Sequence, residues 1–183
     1  MSIVEAVVLG VIQGITEFFP ISSSGHLVIF QSLFGLKEPQ IAFDIFLHLG
    51  TLVAILLFFY KDILALFNKE KKTLLFLVIA SVPTFIIAIL FKDVVENAFG
   101  APRFVGFMLL VTGIWLFISS ALSSYYSKKG SRKELGPVNS IMIGIAQAIA
   151  ILPGISRSGS TIGAGLAAGL DKEKAFRFAF LLA

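Results

Sequence analysis

The sequence predicts an all-α fold: a polytopic membrane protein with inverted-topology repeats and two re-entrant helix-loop-helix segments. Three observations lead there. Residues 73–91, 104–127 and 135–156 carry no charged side chain, and their lengths of 19, 24 and 22 residues match the roughly 20 needed to cross a bilayer. Residues 10–49 lie without a gap over residues 144–183 after a shift of 134 positions. Two small polar loops, SSSGH at 22–26 and SRSGS at 156–160, fall at equivalent points of that repeat.

The totals agree. A chain of 183 residues that is 57% hydrophobic, with a mean hydropathy of +0.94, is too apolar for a soluble domain. The net charge of +4 comes from basic residues clustered between apolar runs, the ordinary topogenic pattern, so no nucleic-acid partner is expected. No cysteine is present, which excludes disulfides, thiolate catalysis and thiolate metal sites. Glu5 stands where a signal peptide would carry Lys or Arg, so no cleavable leader is expected.

Taken in order, the pattern predicts a helix at 3–18, a loop at 19–26 around Pro20 and the serines, and a short helix at 27–36. A long helix follows at 41–67, in which Asp44 and His48 are the only ionisable groups before Lys61. Spans are expected at 73–91, kinked by Pro83, and at 103–125. Then come a helix at 137–151, a loop at 152–160, a glycine-rich short helix at 161–170 and a further span beginning at 174. Loops 61–72 and 125–136 each hold four Lys or Arg, whereas loop 92–103 pairs Lys92 and Arg103 with Asp93 and Glu96. The first two are therefore expected in the cytoplasm and the third outside.

Eleven of the 40 repeat pairs are identical, among them Gly10/Gly144, Gln13/Gln147, Ser22/Ser156, Ser24/Ser158, Gly25/Gly159 and Gly35/Gly169. Leu, Ile and Phe would match by chance in so apolar a chain; Gln, Ser and Gly in register would not. Three spans separate equivalent points, so the second copy is expected to enter the membrane from the opposite side. The expected organisation is one transmembrane domain over 1–183, with repeat one at about 3–125 and repeat two, incomplete, at about 137–183. Copy two stops at Ala183, before a counterpart of the span after Phe46-Leu47, so the sequence reads as C-terminally truncated.

Gln13 and Glu17 share a helix face beside Gly10 and Gly14. A carboxylate near the bilayer centre costs about 2.5–3.5 kcal/mol and is a functional candidate unless it is solvated at the surface. Gln13 serves equally as interhelical glue or as a site residue. Ser22, Ser23, Ser24, Gly25 and His26 form a loop whose N–H groups suit an anion. His26 alone reads as a satisfied buried histidine; beside Glu17 and the serines it completes an acid, base and nucleophile set. PGISRSGST supplies Arg157 among Ser156, Ser158 and Thr161, a guanidinium fork suited to phosphate or, in the plainer reading, a partner for Glu17. A carboxylate, a hydroxyl, an imidazole and an anion-binding Arg fit phosphoryl transfer. Asp44 and His48, four apart on one helix, can either touch the cavity or serve helix packing, with packing the expected role, as it is for the GAGLAAG run at 163–169. The rival class is a transporter or flippase for an anionic lipid, which inverted repeats also suit.

QGITEFFPISSSGH, FDIFLHLGTLVAILLFF and LPGISRSGST resemble the bacterial undecaprenyl-diphosphate phosphatase family (UppP or BacA), over nearly the whole chain. The resemblance implies hydrolysis of a polyprenyl diphosphate lipid, undecaprenyl diphosphate, to undecaprenyl phosphate and inorganic phosphate. That reaction recycles the carrier for cell-wall synthesis, with the site opening toward the outer side of the cytoplasmic membrane. By motif it places catalysis on Glu17, Ser23, His26 and Arg157, and substrate binding on Gln13, Ser22, Ser24, Ser156, Ser158 and Thr161. It also implies a divalent cation, Mg²⁺ or Ca²⁺, at Glu17, and is compatible with a homodimer. Ser23 is left as nucleophile or phosphate ligand. If a missing span matters, a chain extended through a full second copy should exceed this one in detergent stability and phosphatase activity. Equal values in both assays would remove the truncation argument.

Overall fold

The computed structural model describes residues 1–36 and 40–183, and the described residues are helical without strands. Helix α1 (Ile3–Thr16) opens with a capping box: Ser2 Oγ accepts from the Glu5 N–H and the Glu5 carboxylate accepts from the Ser2 N–H. After a turn at 17–22 comes α2 (Ser23–Leu33), then α3 (Ile41–Phe58), α4 (Tyr60–Asn68), α5 (Lys71–Leu90), α6 (Lys92–Phe99) and α7 (Pro102–Lys128). The chain continues through α8 (Pro137–Ile149), α9 (Arg157–Ala167) and α10 (Lys172–Leu182). Pro102 and Pro137 sit in the first turns of α7 and α8, where a missing N–H costs nothing.

Helices α3, α5 and α7 are long and apolar enough to cross a membrane. Large apolar side chains such as Phe58, Phe85 and Phe117 point outward from them, each more than two-thirds exposed, as lipid-facing positions require. The protein is a multi-pass membrane protein.

Three boundaries differ from the sequence reading. The polar loops are shorter than expected because Ser22 and Ser156 act as N-caps, accepting from the N–H groups of Gly25 and Gly159 at 3.3 and 3.0 Å. The residues that follow are thereby drawn into the first turns of α2 and α9. The helix expected at 41–67 bends at Phe59, whose ring stacks on Phe180 of α10 at 5.7 Å; hydrogen bonding carries on across the bend, from Phe59 N–H to Ile55 and from Ile63 N–H to Phe59. The stretch 92–103, expected as a loop, contains α6. Pro83 lies inside α5 as expected.

Helix α8 packs most extensively on α5, α9 on α7 and α8, and α2 on α1 and α7. The main core gathers Leu77 and Ala80 of α5, Ile143 of α8, Ala164 and Leu166 of α9, Leu170 and Phe178. Arg177 ties α10 down, donating from Nε to Asp62 at 2.6 Å and from both terminal nitrogens to Glu70 at 3.0 Å. At the α5–α8 crossing a Cβ on Gly144 would run into the Ala80 carbonyl oxygen, whereas one on Gly10 would meet only a Leu47 methyl at 3.7 Å. Gly144→Ala should therefore cost about 1–3 kcal/mol by overpacking, and Gly10→Ala should be tolerated. Thermal unfolding of both variants in detergent checks the contrast; equal midpoints would mean the α5–α8 contact is looser than described.

Candidate active site

Two turns, 17–22 and 150–156, deliver the site. Each precedes a helix whose first residues are polar and whose N-cap is a serine, Ser22 for α2 and Ser156 for α9. Their close approach depends on glycine. A Cβ on Gly25 would lie 2.9 Å from the Gly154 Cα, and one on Gly159 would lie 2.9 Å from the Pro20 carbonyl oxygen. The second turn is braced by Thr112 of α7, whose hydroxyl donates to the Gly154 carbonyl at 2.9 Å and accepts from the Ser156 N–H at 3.1 Å.

Glu17, at the end of α1, stands at the centre. Its side chain is only 10% exposed. One carboxylate oxygen accepts from Gln13 Nε2 at 3.0 Å and from the Ser23 hydroxyl; the other accepts from Arg157 Nη2 at 3.2 Å. Arg157 also donates to the Ala183 carbonyl at 3.1 Å. Ser22 and Ser24 lie hydroxyl to hydroxyl at 3.5 Å, and Ser156 and Ser158 at 3.3 Å, so the two loops present matching pairs.

These groups line a polar cavity of about 200 Å³, walled by Glu17, the three serines of the first loop, Ser156, Arg157 and Ser158. It adjoins an apolar groove of about 410 Å³ lined by Leu27, Ile41, Ile45, Leu49, Leu52 and Ile55. Glu17, Arg157 and His48 belong to both. A charged head and a long hydrocarbon tail would each find a compartment here.

The structure thus brings Glu17, Ser22, Ser23, Ser24, Ser156, Arg157 and Ser158 together. Gln13 is buried behind Glu17. Thr161 bonds back to the carbonyls of Arg157 and Ser158 and lines neither cavity. His26 likewise lines neither; its Nδ1 donates to the Ser22 carbonyl at 2.8 Å. Two residues whose expected role was packing, or that had none, in the sequence reading stand at the site. His48 Nε2 lies 3.8 Å from the Glu17 carboxylate, and Thr112 holds the second turn. Their signal was present: each is a polar residue inside a span otherwise built to face lipid.

For a divalent cation, no group of three or more His, Cys, Asp or Glu converges among the described residues. The Gln13 carbonyl oxygen is buried without a hydrogen-bond partner, next to Glu17. Gln13 turns its Nε2 toward Glu17 and lines neither cavity, so Glu17 is the polar-cavity carboxylate that would hold a cation whose remaining ligands are phosphate oxygens and water, the usual habit of Mg²⁺.

Comparison with known proteins agrees in extent and kind. A family model described as bacitracin resistance protein BacA matches residues 6–183. An undecaprenyl-diphosphatase of Halothermothrix orenii is 49% identical over 185 residues, spanning all of this chain and 70% of its own length. Proteins of the same name from Carboxydothermus hydrogenoformans and Methanosphaera stadtmanae are 44% and 42% identical, again across this whole chain and over 69% and 73% of their own. With its motifs inside the matched region and its two polar turns joined around Glu17, the chain belongs to the BacA family.

Proposed function

We propose that this protein is an undecaprenyl-diphosphatase, hydrolysing undecaprenyl diphosphate to undecaprenyl phosphate and inorganic phosphate and so recycling the lipid carrier for cell-wall synthesis. The observation that carries the reading is the meeting of Glu17, Ser23 and Arg157 where a polar cavity opens into an apolar groove. Arg157 and the N–H groups at the starts of α2 and α9 bind the diphosphate, the positive ends of two helices facing one anion. The prenyl chain lies along the groove between α2 and α3. Glu17 polarises the Ser23 hydroxyl that donates to it, which suits Ser23 either to attack phosphorus or to hold a phosphate oxygen. Ser22, Ser24, Ser156 and Ser158 supply further donors, and Thr161 steadies the turn that carries Arg157. His26, which lines neither cavity, holds the Ser22 carbonyl through Nδ1 and would act as acid or base only on turning Nε2 into the site. A divalent cation held by Glu17 would neutralise phosphate charge.

The same reading includes an inverted repeat with two re-entrant segments, α1–α2 and α8–α9. Its support is local: α2 and α9 each have 11 residues, begin 134 positions apart and share a serine N-cap bonded to a glycine N–H. Gly35 and Gly169, a repeat pair, end them with positive φ of 75° and 92°. Irregular backbone at membrane depth survives only where protein or a watery cavity surrounds it, and both turns line the polar cavity.

Glu17→Gln should abolish most turnover, about tenfold or more, while leaving insertion intact, since a neutral isostere costs less to bury than a carboxylate. Phosphate release from a polyprenyl diphosphate in detergent, across a range of metal concentrations, checks this; unchanged rates would make Glu17 structural.

Arg157→Lys separates two tasks for Arg157. Gripping phosphate through a planar fork needs the geometry as well as the charge, so Lys should be nearly as slow as Ala, by an order of magnitude or more for each lost charge-assisted bond. If Arg157 only balances Glu17, Lys should rescue the rate and Ala should chiefly lower thermal stability. Initial rates and melting midpoints of both variants decide.

A further inference from the structure

Asp44 and His48 face the site from α3. His48 Nδ1 lies 2.7 Å from the Asp44 carbonyl oxygen; a carbonyl only accepts, so Nδ1 carries the hydrogen and Nε2 is left as the ring nitrogen that can accept. It points at Glu17, with Nε2 at 3.8 Å from Oε2, too far for a hydrogen bond and between two acceptors. The ring's place is set by the helix that bears it. The buried Asp44 carboxylate accepts from Gln31 Nε2 of α2 at 2.7 Å, which locks α3 against the helix that starts at Ser23. Two acceptors at this separation, on the wall of the polar cavity, are matched by one small molecule with two hydrogens to give.

We propose that Glu17 and His48 hold the hydrolytic water between them, with His48 as the residue that orients it. The inference rests on the phosphatase reading and adds to it the origin of the attacking oxygen. Glu17 Oε2 accepts from Ser23 in this structure; once Ser23 turns to a phosphate oxygen or is itself phosphorylated, that lone pair passes to the water. The water oxygen then forms a bond to phosphorus and keeps one hydrogen. The opposite P–O bond breaks, to the bridging oxygen of the diphosphate or to Ser23 Oγ, and its electron pair leaves with that oxygen. The second hydrogen passes to an oxygen of the phosphoryl group or to the departing oxygen. A loose phosphoryl-transfer transition state asks for an oriented water more than for a strong base, and an acceptor at Nε2 supplies orientation.

The test is steady-state phosphate release from a polyprenyl diphosphate by the full chain in detergent, with thermal stability measured alongside. His48→Leu should lower kcat by about tenfold or more and leave KM within about twofold, because the lost contact is to the nucleophile and not to the lipid. His48→Phe, which keeps the ring's bulk without an acceptor, should match it. His48→Gln, whose amide can offer oxygen near the Nε2 position, should keep kcat within about threefold of wild type. A wild-type kcat in His48→Leu and His48→Phe overturns the proposal, as does a rise in KM alone or a His48→Gln variant as slow as His48→Leu. If neither this chain nor one extended through a full second copy releases phosphate, the phosphatase reading itself fails, a result distinct from any of these.

Discussion

The pairing of Glu17 with Arg157 holds two distant parts of the chain to one purpose. The residues are 140 positions apart; Glu17 is the C-cap of α1 and Arg157 opens α9, each bordering an irregular turn. A carboxylate only 10% exposed in so apolar a protein is costly when alone. It is not alone: Gln13, Ser23 and Arg157 all donate to it. Removing one donor leaves the rest around an under-compensated charge, so the loops, the cavity and the chemistry stand or fall with this cluster.

Glycine makes that cluster reachable. The turns meet backbone to backbone at Gly25 and Gly154, and at Gly159 and Pro20, where a Cβ on Gly25 or Gly159 would fall 2.9 Å from the facing backbone and force the loops to shift. Serine completes the arrangement. Ser22 adopts a positive φ of 66°, the one non-glycine residue to do so among those described, and spends its hydroxyl on the first turn of α2. A strained residue at a site turn is held there by its surroundings, here by the Ser22 carbonyl's bond from His26 and the packing of α2 on α1 and α7.

Much of this was legible in the sequence because it rests on local rules. Uncharged runs of span length gave α5 and α7, and Ser-Gly pairs in register announced both turns. Glu17 and Arg157 stood out as charges with none of their kind nearby. What escaped needed tertiary knowledge. The bend at Phe59 follows from a ring stacking on Phe180, more than a hundred residues away. Helix α6 was hidden by Asp93 and Glu96, which read as loop charges although they occupy one side of a short amphipathic helix. His48 read as packing because nothing in its own helix reveals that α3 crosses the end of α1. Only the Gln31–Asp44 bond between α2 and α3 fixes that crossing.

The two copies of the repeat differ where chemistry requires it. Ser23 of the first loop corresponds to Arg157 of the second, and Glu17 corresponds to Ile151. Gln13 supports Glu17, while its counterpart Gln147 reaches across to Thr84 of α5 at 3.0 Å and only helps α8 stay on α5. Each glutamine keeps a buried carbonyl oxygen without a hydrogen-bond partner. One copy has kept the carboxylate and the reactive hydroxyl, the other the cation. Two carboxylates facing each other would repel, and two guanidiniums would leave no base. Joined at one site, the two stretches supply opposite charges, and the serine caps and glycines they share keep the turns fitting together.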